Sequence, residues 1–203
     1  MDYFHHLQKD KRLRKVLLSP LPPLRLQSRA DIKLMQSIMS QQLNVKVAHT
    51  LHERFFTLCA TNKPELSIIS NMDPTMLHGI GLSRAKTNYI QNVARFFLEY
   101  KITDRKLRSM PSEEIIALLT QIKGVGRWTV EMLLMFTLAR EDVFAVDDLG
   151  IQVAIAQLYL LERPLKGNKK DFKNQLLSIS DRWSPYKTYA CLHLWGFKDN
   201  PPL

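Results

Sequence analysis

Cysteine and glycine are scarce: two and seven in a chain of 203 residues. Cys59 and Cys191 can build neither a four-thiolate cluster nor a disulfide framework, which points to a reducing compartment with both thiols in the core. Long apolar runs are missing as well. The basic N-terminal flank "MDYFHHLQKDKRLRKVLLSPLPPL" has only a short apolar run, Val16–Leu18, before Ser19 and proline, so it does not read as a signal peptide. No later stretch reaches the roughly 20 apolar residues a membrane helix needs, and an intracellular protein with no membrane partner is expected. Alternating β-pattern is almost absent, its one instance being "DVFAVDD" (142–148), too short to pair. Among six histidines only His49 and His52 share a helix face, and no third ligand accompanies them, which argues against a metal site. What the chain does have is positive charge. Its 29 Lys and Arg against 19 Asp and Glu leave +10, which favours a polyanionic partner such as nucleic acid.

Helical periodicity fills the space left by the absent β-pattern. Residues 31–58 set Ile32, Met35, Ile38, Met39, Leu43, Val47, Leu51, Phe55 and Leu58 at three- and four-residue steps. Further helices are expected at 64–71, from Pro74, at 84–99, and from a Ser112 cap followed by Glu113 and Glu114. Others follow at 127–139, 149–161, 170–178 and 185–195. The fold class is all-α. Two lobes are expected, 31–110 with the N-terminal segment and 111–203, forming one unit over 1–203 without an extra N-terminal β-domain.

The glycines that exist are placed in pairs. "IKGVGRWTVE" (122–131) breaks one helix and starts another, and "LHGIGLSRAK" (77–86) echoes it with Gly79 and Gly81. Gly124 and Gly126 tolerate left-handed backbone and close approach of another chain. A helix then starts at once, with unpaired N–H groups and the positive end of its dipole outward. With Val125 between the glycines and Lys123 and Arg127 flanking them, this is a seat for an anion, such as a phosphate of a DNA backbone. Asp147 and Asp148 precede "LGIQVAIAQLYL", where an acid serves as a helix N-cap. "SQQLN" (40–44) sets two glutamines into an apolar helical stretch, which fits a break or an outward-facing turn.

"IMSQQLNVKVA" (38–48), "GVGRWT", "DVFAVDDLGI" and "RWSPYKTYACLHLW" (182–195) stand in this order over residues 30–196, nearly the whole chain. In this the sequence resembles the helix-hairpin-helix, Gly/Pro-rich loop, Asp (HhH-GPD) superfamily of DNA glycosylases, and within it the 3-methyladenine DNA glycosylase II branch. The resemblance implies a two-lobed fold with the active site in a cleft between the lobes. It also implies a monofunctional hydrolase of alkylated purines (3-methyladenine and 7-methylguanine types), acting on double-stranded DNA in base excision repair as a monomer. Asp148 is its expected catalytic acid. An apolar residue recurs three positions after the family's acid, which Ile151 supplies for Asp148, whereas Asp147 would give Gly150; Asp147 is left to support it.

Loss of a cationic base needs little acid assistance, so one carboxylate that stabilises the oxocarbenium sugar can suffice. By the same resemblance Trp128, Trp195 and Met132 line the pocket for a flipped base, while Gln42, with Gln41 and Leu43, wedges into the duplex. Relatives that also nick the strand carry a lysine where this chain has Trp128, so no lyase activity is expected. No cofactor is expected, apart from a monovalent cation that hairpin carbonyls could hold. A glycosylase for uracil, hypoxanthine or ethenoadenine, and a non-catalytic protein that binds damaged DNA, stay as alternatives.

Overall fold

The computed structural model describes residues 2–164 and 169–199. These form α1 (Tyr3–Leu7), α2 (Ala30–Ser40), α3 (Val45–Leu58), α4 (Leu66–Asn71), α5 (Pro74–Gly79) and α6 (Arg84–Glu99). After them come α7 (Asp104–Ser109), α8 (Ser112–Leu119), α9 (Arg127–Phe136), α10 (Leu149–Tyr159), α11 (Lys169–Asp181) and α12 (Lys187–Asp199). Among the described residues there is no strand, and no helix is long and apolar enough to cross a membrane.

The chain divides into two compact units, Leu26–Leu138 and a second made of Met1–Arg25 with Ala139–Leu203. This corrects the expected lobes. The N-terminal segment groups with the C-terminal part because Leu13 and Val16, in a 3-10 turn, bury against α12. The helices α8 and α9, expected with the C-terminal lobe, belong to the middle unit, where α9 lies on α2. Both glycine turns therefore fall within one unit.

In the middle unit α2 is the central helix. Ile32, Leu34, Met35, Ile38 and Met39 are all buried, against α3, α6 and α9. Each such side chain contributes about 1.5–3 kcal/mol when fully removed from water. The N-terminus of α2 has no cap of its own, since Arg29 stands there in the left-handed region (φ 64°). A carboxylate from elsewhere replaces it: Asp104 accepts the N–H groups of Arg29 at 2.8 Å and Ala30 at 2.9 Å. The apolar periodicity through 31–58 is interrupted where the glutamines predicted a break. α2 stops at Ser40, Gln42 turns left-handed (φ 60°), and Asn44 caps α3 by accepting the N–H of Val47. Ser112 is not a cap; it is the first residue of α8, and Pro111 precedes it.

In the other unit α10 lies on α12. Its core includes Leu7, Leu13, Ile151, Ala154, Ile155, Trp183, Ala190, Cys191 and Leu194. Cys59, expected in the core, is only half-buried. Asp10 is the polar tie of the unit. Its carboxylate accepts the Tyr159 hydroxyl at 2.6 Å, the Trp183 indole N–H at 3.2 Å, and the backbone N–H groups of Arg12 and Leu13. Burial alone would raise the pKa of Asp10, but these four donors bring it below the usual carboxylate value.

Candidate active site

The hairpin begins where α8 ends. Ile122 and Val125 are buried and anchor the turn, and Val125 N–H donates to the Ile122 carbonyl at 3.0 Å. Gly124 needs to be glycine twice over. Its φ is +103°, and a Cβ there would lie 2.1 Å from Cγ of Tyr89, whose ring packs onto the turn. Gly126 differs. Its φ of −91° is open to any residue, and a Cβ would meet nothing within 4 Å. It caps α9 without a side chain that could fold over the first-turn N–H groups, so the backbone there can be approached closely.

Lys123 is exposed beside it, its carbonyl held by the Asn92 amide at 3.3 Å. Arg127 was expected to add charge to this seat. Its guanidinium instead turns to Glu113 and to buried Glu131, each at 2.9 Å, and braces the start of α9. Hydrogen bonding to Glu113 raises its pKa further above the ordinary arginine value. The Ile122 and Lys123 carbonyls each accept one N–H and keep a second lone pair, so as neutral oxygens they suit a monovalent cation.

Trp128 and Met132 share a face of α9, and Phe136 continues it at the same four-residue step. Trp128 is 37% exposed and Phe136 42%. Met132 and Phe136 line a groove of about 330 Å³, together with Lys33, Gln36, Ser37 and Ser40 of α2. Gln41 joins the two helices, its amide donating to the Thr129 hydroxyl at 3.4 Å. Gln42 and Leu43 are exposed at the break between α2 and α3, beside Val45 at 87% exposure. Gly81 in the second glycine turn is left-handed (φ +106°), whereas Gly79 is the last residue of α5, so this turn is not a copy of the hairpin.

In the other unit Asp148 is the N-cap of α10. Its Oδ1 accepts the backbone N–H of Ile151 and the indole N–H of Trp195, both at 2.9 Å. Trp195, expected as a pocket wall, is thus also a hydrogen-bond donor to the acid. The pairing depends on Gly150, where a Cβ would come within 3.1 Å of Asp148 Oδ1 and 3.3 Å of Trp195. That small residue two places after the acid was the only trace of the pairing in the sequence. Asp147 is turned away into an ion pair with Lys173. Trp183 is fully buried on Asp10, as a structural residue would be.

No group of three His, Cys, Asp or Glu side chains able to hold a metal occurs among the described residues. His49 pairs with Glu53, and His52 bonds Ser40 and the Gln36 carbonyl.

Residues 35–179 match the profile of the HhH-GPD superfamily base excision DNA repair proteins. DNA-3-methyladenine glycosylase 1 of Schizosaccharomyces pombe is 34% identical over 165 residues, covering 80% of this chain and 70% of that protein. A Bacillus subtilis relative is 34% identical over 168 residues, and there the match spans 80% of this chain but 56% of the relative. A solved structure of the Schizosaccharomyces pombe 3-methyladenine DNA glycosylase in complex with abasic DNA superposes with a TM-score of 0.83. It is 30% identical and covers 99% of this chain and 98% of its own.

Proposed function

Since the chain belongs to the HhH-GPD superfamily of base excision DNA repair proteins, we propose that it is a monofunctional DNA glycosylase that hydrolyses the N-glycosidic bond of alkylated purines. Its substrates are 3-methyladenine and 7-methylguanine types in double-stranded DNA, on which it acts as a monomer within the cell. The observation that carries this reading is the Asp148 carboxylate, fixed on Oδ1 by one backbone and one indole donor.

As the bond from C1′ to the base breaks, positive charge develops on the sugar. A carboxylate already oriented at that carbon stabilises the charge without reorganising, and it can align the attacking water. An alkylated base leaves as a neutral molecule, so no second acid need protonate it. The first-turn amides of α9 and Lys123 hold a backbone phosphate, and the net charge of +10 draws the duplex in. A monovalent cation on the Ile122 and Lys123 carbonyls would add positive field at that phosphate. Trp128 and Met132 supply an apolar, aromatic surface for the extruded base, and Gln42 with Gln41 and Leu43 fills the space it leaves.

The test is release of free base from a methylated duplex, measured by chromatography, for the wild type and for Asp148→Asn. The variant keeps the shape of the cap and loses its charge. Its single-turnover rate should fall about 100-fold or more, with abasic-duplex binding retained. Full excision by Asp148→Asn would remove the acid from the mechanism. A wild type that binds methylated duplex in a salt-dependent way yet releases no base would make this a binding protein.

A further inference from the structure

We propose that Lys86 is a positioning residue that sets the duplex wedge, a role that rests on reading residues 41–43 as that wedge. The last turn of α2 points its carbonyls at the break, and no C-terminal glycine is present to close them. Lys86 closes them from a distance. Its Nζ donates to the Met39 carbonyl at 2.9 Å and to the Gln41 carbonyl at 2.7 Å. One ammonium thus spans the end of the helix and the residue just past it. A cation is also the favourable charge at a helix C-terminus. Gln42 follows immediately with φ 60°, a conformation that a non-glycine residue holds only when its neighbours fix it.

The second glycine turn explains how a lysine 45 positions along the chain arrives there. Gly81 turns left-handed, Ser83 caps α6 by accepting the Lys86 N–H, and Lys86 is the third residue of that helix. Arg54 holds the turn by donating to the Ile80 carbonyl at 3.2 Å. From α3 the His52 ring bonds the Gln36 carbonyl and Ser40, and burial lowers its pKa. Gln41 is held as well through Thr129. The exposed residues Gln42, Leu43 and Val45 therefore sit on a base fixed from α3, α6 and α9, and the Lys86 side chain grips the backbone of the wedge itself from another helix.

A wedge is needed only when a partner strand must be held apart. The experiment follows release of 7-methylguanine under single-turnover conditions, from a duplex and from the same strand without its complement. Wild type, Lys86→Met, Gln42→Ala and the double variant are compared at a temperature where circular dichroism shows each folded. Lys86→Met should release the base from the duplex about tenfold more slowly, and from the unpaired strand within about twofold of wild type. The double variant should be no slower on duplex than Gln42→Ala alone, because both changes disable one device. If Lys86→Met does not fold, Lys86→Arg, which keeps the charge but spreads its donors over a plane, is read by the same ratio with a smaller loss.

Equal losses by Lys86→Met on both substrates, or losses that add to those of Gln42→Ala, would make Lys86 a structural cap and overturn the inference. A slow Gln42→Ala beside a fast Lys86→Met would overturn it while leaving the wedge reading intact. A Gln42→Ala variant with the wild-type duplex rate would remove the wedge reading and this inference with it.

Discussion

Asp148 takes direction from a backbone donor, an indole donor and one absence. Ile151 and Trp195 fix Oδ1, and Gly150 leaves the space through which the indole reaches it. The N–H and the ring face of Trp195 can be separated, since Trp195→Phe keeps an aromatic ring, though a smaller one, and loses the donor. One hydrogen bond to a charged acceptor contributes about 1.5–3 kcal/mol, so base release should slow by about tenfold or more. The melting temperature should move little, and an unchanged single-turnover rate would reduce Trp195 to a pocket wall. The acid itself was legible in the sequence because capping is a local property: an Asp ahead of an apolar helix declares itself within four residues. Its pairing with Trp195 was not, because the partner lies 47 positions away and nothing local marks the distance.

Two turns of similar spelling do different things at the scale of the element. In the hairpin the first glycine is left-handed and carries a tyrosine ring, while the second is sterically open and caps α9. Their substitution should therefore separate folding from binding. Gly124→Ala should cost about 1–3 kcal/mol of stability, from strained backbone and the displaced Tyr89 ring, read by chemical denaturation. Gly126→Ala should stay within about 0.5 kcal/mol of wild type in the same measurement. Its methyl group obstructs the approach of a phosphate, so affinity for abasic duplex should fall about fivefold, the worth of one hydrogen bond. Matching stability losses in both variants would contradict the division of labour. Sequence spacing located both turns but could not tell them apart, since what distinguishes them is a side chain from another helix. The remote cap on α2 escaped for the same reason: Asp104 reads as an ordinary first-turn acid of α7 until the fold brings Arg29 and Ala30 to it.

Over the whole molecule, the N-terminal segment is tied to the C-terminal part through Asp10, which joins its own backbone to Tyr159 and Trp183. Its pKa is lower folded than unfolded, so its stabilisation is complete above the unfolded value of about 4 and is lost as pH falls through the folded value. Urea midpoints measured between about pH 6 and about pH 3 should drop steeply for the wild type. Asp10→Asn should be less stable near neutrality by about 1–3 kcal/mol and show a flatter acid limb. An equally steep limb in the variant would place the acid sensitivity on other carboxylates. The expected lobes miss this arrangement because adjacency in the chain is not adjacency in space, and an Asp10 among lysines and arginines looks like a solvated charge until Tyr159 and Trp183 close over it.

That division has a consequence for biosynthesis. The unit bearing the proposed phosphate seat is uninterrupted in the chain and has all of its residues once Leu138 has been added. The unit bearing Asp148 is interrupted by the other and must wait for α12. A nascent chain therefore completes the unit with the proposed grip on nucleic acid well before the unit with the proposed acid.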